Sequence, residues 1–313
     1  MGVNTMNKRK LFVSVSFLFL AVLLLTGNIN GLTWTRVDCE GYYQHTVGYS
    51  TINGGMFLSA GYGIWSRYSL DGITWTAGGY FNCPVMSHIS SGFTNGVPRF
   101  VAVGYMGKIF NSVDGLTWSE RNSGTSNNLR GNCFGNLTYV AVGDNGTVVT
   151  SPSATIWTVR SSGVTTRLYD VIYGTPSSPK FVAVGEWGTI ITSADGVTWR
   201  QRVSGTQQFI YDVAFGNGRY VAVGQNGLVL TSPDGIYWTS RNSGTTTQLY
   251  TVTYGNGVFV AAGLDGNIFS SANLGVTWTP EDSQTTDIIW DIVYSPEFNL
   301  FVAVGQDMLV YGI

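Results

Sequence analysis

The stretch Lys180-Phe-Val-Ala-Val-Gly-Glu-Trp-Gly-Thr-Ile-Ile-Thr-Ser-Ala-Asp-Gly-Val-Thr-Trp199 decides the fold, because both of its phrases recur along the chain. The phrase Phe-Val-Ala-Val-Gly occurs at 100–104, 181–185 and 301–305, with variants at 139–143, 220–224 and 259–263. Tryptophans in a Thr-Trp context or near it are Trp34, Trp75, Trp118, Trp157, Trp199, Trp238 and Trp278, at spacings of 41, 43, 39, 42, 39 and 40. A fixed period of about 40 residues indicates a repeat architecture.

Each repeat contains the parts of one small antiparallel sheet. A unit reads as a strand, a hairpin, the Phe-Val-Ala-Val-Gly strand, a Gly-containing loop, a third strand, an Asp-Gly turn and a last strand. Asn-Gly and Asp-Gly supply the positive φ angles of tight hairpins, and alternation puts Tyr250, Val252 and Tyr254 on one face of a strand. Four short strands in about 40 residues predict one blade of a β-propeller.

The two ends of the chain complement one another. Trp34 has no partner strands upstream, and residues 288–313 supply three strands without a final Thr-Trp strand. We therefore expect residues 32–37 to complete the last blade and to close the ring without free sheet edges. The predicted fold class is all-β: one domain over 32–313 with seven blades, each a four-stranded antiparallel sheet.

Composition supports this fold and excludes several function classes. The 313 residues are 44% hydrophobic and only 11% charged, which argues against a disordered or coiled-coil chain. The 41 glycines are about twice the usual share and fit many short strands joined by tight turns. With a net charge of −2, the chain has no basic excess for phosphate, so nucleic acid is not an expected partner.

Residues 1–31 have the pattern of a secretory signal peptide. Lys8, Arg9 and Lys10 precede an uncharged apolar run over 11–26, and small or polar residues follow at 27–31. The run is shorter than the roughly 20 residues that a spanning helix needs. We expect an exported protein, periplasmic, on the cell surface or secreted. A retained anchor is the alternative, and only then would the protein contact a membrane.

The phrase Ser193-Ala-Asp-Gly-Val-Thr-Trp199 resembles the Asp-box, or bacterial neuraminidase repeat, one residue shorter than its usual form. The stretch from Ser271 to Trp278 has the full length but carries Asn273 in place of the aspartate. The whole unit is similar to repeats of photosystem II assembly and stability factors and their bacterial relatives, within the sialidase-like propellers. The resemblance covers the chain after residue 31 and implies a propeller, but it is weak for activity, because such propellers include glycosidases, receptors and scaffolds.

The residues of the repeated phrase are expected to be structural. Aspartate accepts hydrogen bonds from its own turn, and tryptophan buries its ring between sheets. The residues concerned are Asp71, Trp75, Asp114, Trp118, Asp195, Trp199, Asp234, Trp238 and Trp278. Arginine recurs at one offset after the tryptophan, which also indicates a repeated structural contact: Arg121, Arg160, Arg202 and Arg241.

No catalytic residues can be assigned. Glycoside hydrolysis needs two carboxylates across a cleft, and Asp170, Asp212 and Asp291 could face the central channel with Asn132 and His88 near the same register. Recurrence at equivalent strand positions favours a repeated hydrogen bond instead. Two histidines are too few for a His-rich metal site, and no phosphate-binding loop is present. We expect no cofactor and no metal, and an enzyme is less well supported than a non-enzyme.

Three cysteines occur, at Cys39, Cys83 and Cys133. The first two lie shortly after Trp34 and Trp75, in linkers that consecutive blades would place side by side. A Cys39–Cys83 disulfide is the hypothesis for an exported protein. Cys133 occupies a strand position and is expected to be a buried free thiol.

The repeat is regular except in one set of loops, between the second and third strands. Variation on an otherwise uniform scaffold is what a ligand-binding rim would show, although unconstrained surface loops vary in the same way. The candidate rim residues are Tyr62, Tyr105, Asp144, Asn145, Glu186, Trp187, Gln225, Asp265 and Asp307. Aromatic anchors among carboxylates suit a protein or peptide partner; a sugar stacked on Trp187 or Tyr105 is the alternative.

Two functions follow from these observations. The first is an exported, non-enzymatic propeller that serves as a protein-interaction or assembly scaffold through its variable loop face. The alternative is a carbohydrate-binding or glycoside-hydrolysing propeller of the sialidase-like type. The sequence does not identify the partner.

Overall fold

In the computed structural model, the described residues are 32–38, 44–51, 54–63, 65–94, 96–175, 177–305 and 308–312. Within these ranges the chain forms β-strands joined by turns and short 3-10 segments. Neighbouring strands in every sheet run antiparallel. The segment 1–31 and Cys39 lie outside the described residues.

Six four-stranded sheets each consist of four consecutive strands. The first three are β2 (Gln44–Ser50), β3 (Met56–Gly61), β4 (Trp65–Ser69) and β5 (Thr76–Tyr80); β6 (Met86–Thr94), β7 (Val97–Gly104), β8 (Ile109–Ser112) and β9 (Ser119–Arg121); β10 (Leu129–Gly135), β11 (Thr138–Gly143), β12 (Val148–Ser151) and β13 (Thr158–Arg160). The next three are β14 (Leu168–Gly174), β15 (Lys180–Gly185), β16 (Ile190–Ser193) and β17 (Arg200–Arg202); β18 (Ile210–Gly216), β19 (Arg219–Gly224), β20 (Val229–Ser232) and β21 (Thr239–Arg241); β22 (Leu249–Gly255), β23 (Val258–Gly263), β24 (Ile268–Ser271) and β25 (Thr279–Glu281).

A composite sheet joins the two ends of the described chain. Its strands are β1 (Trp34–Asp38), β26 (Ile289–Ser295), β27 (Leu300–Gly305) and β28 (Met308–Gly312), in the order β1-β28-β27-β26. Strand β1 starts two residues later than the predicted segment 32–37, and its direct partner is β28. The chain is therefore an all-β propeller with four-stranded antiparallel blades. Six blades are continuous in sequence, and the predicted count of seven depends on the composite sheet.

The core consists of apolar clusters that lie between adjacent sheets. The second strand of each sheet is almost completely buried, because its two faces pack against neighbouring sheets. Continuous apolar runs such as Phe181–Val184 satisfy this environment. A polar face would instead need hydrogen-bond partners that a gap between two sheets does not offer.

Trp34 ties the amino-terminal strand to this core. Its side chain is only 3% exposed and packs with Val260, Ile289 and Phe301, the ring centroids of Trp34 and Phe301 being 6.4 Å apart. The contacts span two neighbouring sheets, so that one ring holds β1 against both. Its loss would leave a large cavity at the junction of the chain ends.

We predict that Trp34→Ala lowers the free energy of unfolding by about 3–5 kcal/mol, through lost burial and the cavity left behind. Trp34→Phe keeps an aromatic ring there and should cost clearly less. Urea titration followed by circular dichroism measures both variants. An alanine variant as stable as the parent would show that β1 contributes nothing to the fold.

Candidate functional site

Each sequence-predicted rim residue that the structure describes lies at or beside a connection between the second and third strands of its sheet. Five of these connections are 3-10 turns with a middle residue at positive φ: Tyr105–Gly107, Asp144–Gly146, Glu186–Gly188, Gln225–Gly227 and Leu264–Gly266. Glycine closes each turn, and at Gly188 (φ +70°) a Cβ would approach the Thr206 carbonyl oxygen to 2.1 Å. Trp187, at the middle of its turn, is 61% exposed. Asp307 lies outside the described residues.

A second set of side chains borders these turns, on seven strands that we call the inner strands: β2, β6, β10, β14, β18, β22 and β26. Every inner strand carries a register shift around its second residue, and such a bulge re-aims a side chain. We call these seven residues the collar: His45, Ser87, Arg130, Tyr169, Tyr211, Tyr250 and Trp290. Contacts with turn residues place the collar and the turns on one face, the collar face: Arg130 bonds to Asp144, and His45 contacts Tyr62.

Five collar residues form a continuous aromatic arc. Ring centroids are 5.3 Å apart between Tyr169 and Tyr211, 5.3 Å between Tyr211 and Tyr250, 4.8 Å between Tyr250 and Trp290, and 5.3 Å between Trp290 and His45. All five side chains are half-buried. Burial and the nearby Arg130 charge lower the pKa of His45, so its imidazole is neutral at pH 7. The arc therefore offers aromatic surface with no charge of its own.

Phe209 and Trp187 extend the arc outward. The Phe209 ring lies 6.3 Å from that of Tyr169 and 5.0 Å from that of Trp187, the latter pair at 89°. Edge-to-face pairs of this kind are favourable and fix ring orientation. The most exposed aromatic residue of the predicted rim is thus connected to the arc.

An ionic cluster adjoins the Tyr169 end of the arc. The guanidinium of Arg130 donates from Nε and Nη2 to the two Asp144 oxygens at 3.0 and 3.2 Å, and Arg167 Nε donates to Asp144 Oδ1 at 2.7 Å. Arg167 Nη1 also lies 3.3 Å from Glu186 Oε1. Burial alone would raise the pKa of Asp144, but the bond to Arg130 and the charges of both arginines hold it below its usual value.

This cluster includes residues of the predicted rim. Two of its predicted carboxylates, Asp144 and Glu186, are paired with Arg130 and Arg167, so this side of the face is close to neutral. Tyr105 also belongs to it, because the Arg130 guanidinium carbon lies 5.0 Å from that ring centroid. Asp144 holds other side chains in place and is not a free recognition group.

A central channel lies between the inner strands, whose residues line it. It has a cavity of about 380 Å³, lined by residues that include Asp170, Asp212, Asp291 and His88. Burial, then the charge of Asp212 and a hydrogen bond to it, raise the pKa of Asp170 well above its usual value. Burial raises the pKa of Asp291 to about 6, with a further contribution from the charge of Asp212 and an opposing one from His88.

Four side chains at the third position of the inner strands make the repeated inter-strand bond that their register predicts. Asp212 Oδ2 accepts from the Val252 N–H at 2.7 Å, and Asp291 Oδ2 accepts from the Val47 N–H at 2.9 Å. The hydroxyl oxygens of Thr251 and Thr46 also accept from backbone N–H groups of the next inner strand, those of Ile292 and Ile89. These bonds link neighbouring sheets, and the bond from Asp291 joins the last sheet to the first.

The repeated phrase of the sequence is bonded within its own turns. Asp195 Oδ1 accepts from the backbone N–H groups of Val197 and Thr198, both at 2.8 Å, and Trp199 Nε1 donates to the Gly196 carbonyl at 2.9 Å. The same bonds recur around Asp71, Asp114 and Asp234.

The tryptophan rings of the repeated phrase are half-buried and not fully enclosed: Trp75, Trp118, Trp199, Trp238 and Trp278. The recurring arginines Arg121, Arg160, Arg202 and Arg241 each donate from Nε to the third strand of their sheet.

The structure describes two of the three cysteines, Cys83 and Cys133. Cys83 is buried, and its thiol lies 3.1 Å from the Val85 carbonyl oxygen; its pairing with Cys39 stays a prediction, because Cys39 is not described. Cys133 is a half-buried free thiol on the channel wall, and burial raises its pKa well above its usual value.

Among the described residues, no cluster of three or more His, Cys, Asp or Glu side chains has metal-binding geometry. None of the helical segments described is long and apolar enough to cross a membrane.

The collar was missed by the sequence prediction, which assigned the binding face to the loops alone. A signal was available, because aromatic residues repeat at the second position of four inner strands, at Tyr169, Tyr211, Tyr250 and Trp290. Simple alternation would place the second residue on the face of the strand opposite the channel-facing third residue. Only the bulge turns its side chain toward the collar face.

Comparisons with known proteins point to the fold. No family model and no curated protein matches the chain. Among solved structures, it is similar to YCF48 bound to D1 peptide (TM-score 0.70, 16% identity, covering 90% of this chain and 96% of that one). It is also similar to YCF48 from Cyanidioschyzon merolae (0.68, 16%, 89% and 98%) and to the WD40 β-propeller domain of Doa1 (0.70, 12%, 90% and 96%). Identities this low establish shared architecture only.

The raised pKa of Asp291 predicts a pH dependence of stability. A carboxyl that binds its proton more tightly when folded contributes stability at low pH, and that contribution falls as the pH rises from about 4 to about 6. Asp291→Asn keeps an oxygen for the Val47 N–H and removes the buried charge. We expect it to raise the free energy of unfolding at pH 7.5 by about 1–2 kcal/mol and to have little effect at pH 4.5.

Asp71→Asn is the matched control. Burial alone would raise the pKa of Asp71, but the N–H groups of Thr74 and Ile73 outweigh it and lower the pKa. Its contribution is present above pH 4 and lost in acid, so this variant should be destabilised at pH 7.5. Denaturant titrations at both pH values measure the two variants, and equal signs at pH 7.5 would refute the assignment.

Proposed function

We propose that this chain is a protein-interaction or assembly scaffold that binds an extended peptide segment of a partner on its collar face. The observation that carries the proposal is the aromatic arc, which runs from Tyr169 to His45 and is extended by Trp187. Aromatic side chains supply large contact area for little loss of conformational freedom, and they dominate binding energy at interfaces.

The fold neighbours support this function over a carbohydrate-directed one. A YCF48 propeller has been solved with a D1 peptide bound, and the present chain matches that propeller over nearly its whole length. The channel carboxylates Asp212 and Asp291 bond to backbone N–H groups of the next sheet, which favours a structural role for them over glycoside hydrolysis.

The scaffold is proposed to be a closed ring of seven blades, with the composite sheet as the seventh. The pairing of β1 with β28 and the bond from Val47 to Asp291 support closure, because both connect the first and last parts of the domain. The turns around Asp71, Asp114, Asp195 and Asp234 are proposed to be short Asp-box turns. Export by a signal peptide over residues 1–31 remains a proposal from the sequence.

Selection from a phage-displayed library of random 15-residue peptides, with the purified chain as bait, tests peptide binding. We expect enriched peptides to lose at least about tenfold in affinity for Trp187→Ala, since an exposed aromatic anchor is typically worth more than 1 kcal/mol. Fluorescence polarisation of labelled peptides gives the affinities.

Tyr237→Ala is the matched control. Tyr237 is also an exposed aromatic residue, 76% accessible, but it lies in the turn after Asp234, away from the collar face. Asp144 is unsuitable as a test position, because its loss would release Arg130 and Arg167. Failure to enrich any peptide, or equal losses in both alanine variants, would reject the proposed binding face.

A further inference from the structure

One sheet already shows how the collar holds a guanidinium. The guanidinium carbon of Arg167 lies 5.7 Å from the centroid of the Tyr169 ring, two residues further along the same chain segment. Its Nη1 is 3.4 Å from the tyrosine hydroxyl and 3.3 Å from Glu186 Oε1. Aromatic face, carboxylate and guanidinium thus form a compact group, with the carboxylate supplied by the turn.

The following sheets keep the aromatic residue but not the arginine. Residues two positions before Tyr211, Tyr250 and Trp290 are Phe209, Gln248 and Ile288, none of them basic. The described cation–π contacts, from Arg130 to Tyr105 and from Arg167 to Tyr169, lie at or beyond the Tyr169 end of the arc and not at Tyr250 or Trp290.

A carboxylate accompanies the aromatic residue in one of these sheets. The turn that follows the second strand there is Leu264–Gly266, and its middle residue, Asp265, is exposed. The backbone N–H of Leu264 donates to the Gln248 carbonyl oxygen at 3.0 Å, which puts this turn beside the start of the strand that carries Tyr250. Unlike Asp144 and Glu186, Asp265 has no ion-pair partner among the contacts of the described residues.

We infer that the arc segment formed by Tyr250 and Trp290, with Asp265 beside it, binds an arginine side chain of the partner peptide, in the way that Tyr169 and Glu186 hold Arg167. This inference rests on the proposed function and specifies the chemistry of its partner. The bound segment therefore contains at least one exposed arginine.

Charge and shape favour arginine over the other side chains. Electron-rich tyrosine and tryptophan faces attract cations, and the planar, weakly hydrated guanidinium stacks on them more readily than an ammonium group. Asp212 and Asp291 directly follow Tyr211 and Trp290 in sequence and line the channel. Carboxylates inside a concave site favour positive ligands, since low-dielectric walls focus their field.

A pair of synthetic peptides tests the inference directly. The probe is a fluorescein-labelled nonapeptide with three arginines separated by Gly-Ser spacers, and its control carries citrulline, the neutral isostere, at the same positions. We expect the arginine peptide to bind at least about fivefold more tightly at 0.15 M salt, as a cation–π contact with a carboxylate neighbour would give. Polarisation titrations measure both dissociation constants.

Three variants locate the contact. Tyr250→Phe keeps the aromatic face and should preserve the preference for arginine, whereas Tyr250→Leu keeps apolar bulk without the face and should abolish it. Gln248→Arg puts an arginine where Arg167 stands relative to Tyr169, and this internal guanidinium should displace the peptide. Thermal unfolding of each variant verifies that the fold is intact.

Equal binding of the arginine and citrulline peptides would overturn the inference, as would an unchanged preference in Tyr250→Leu or no detectable binding of the arginine peptide. These outcomes leave the proposed function standing, because that is judged by library peptides and the Trp187 variant. Loss of library binding in Trp187→Ala together with no arginine preference would mean a peptide face with another specificity.

Discussion

The close approach of neighbouring inner strands is the constraint on which the rest of the structure depends. Near the end of these strands a glycine stands where the next strand supplies an aromatic ring: a Cβ on Gly216 would lie 2.0 Å from Tyr254, and one on Gly255 would lie 2.1 Å from Tyr294. Any larger residue would push the sheets apart. The bonds from Asp212 to Val252 and from Asp291 to Val47 connect the same strands further along.

This spacing also determines the geometry of the collar. Because neighbouring inner strands are held at a nearly constant distance, their bulged second residues come within 4.8 to 5.3 Å of one another, centroid to centroid, along the arc. Aromatic rings at such separations support each other's orientation. A surface that a peptide could use thus arises from the packing that stabilises the scaffold, and no separate binding domain is needed.

Charge is divided unequally around the collar face. On one side Arg130 and Arg167 satisfy Asp144 and Glu186, so the polar groups there are largely occupied with one another. On the other side, the turn that carries Asp265 lies beside the strand of Tyr250, and the channel carboxylates Asp212 and Asp291 directly follow Tyr211 and Trp290 in sequence. Such an asymmetry can orient a bound segment, because its basic side chains are favoured at one end only.

The sequence by itself determined the repeat, its antiparallel strands and the structural use of its turns, since 40-residue periodicity, Asp-Gly turns and alternation act over a few residues. It also located the variable connections that carry Trp187 and Glu186. Only the tertiary structure decided which side chains meet across sheets: that Asp144 is bound by Arg130 of its own sheet and by Arg167, which directly precedes β14, and that Tyr211, Tyr250 and Trp290 form an arc. The physical reason is that a bulge reverses the direction of a side chain without a distinctive local sequence, and contacts between residues about 40 positions apart depend on how closely the sheets pack.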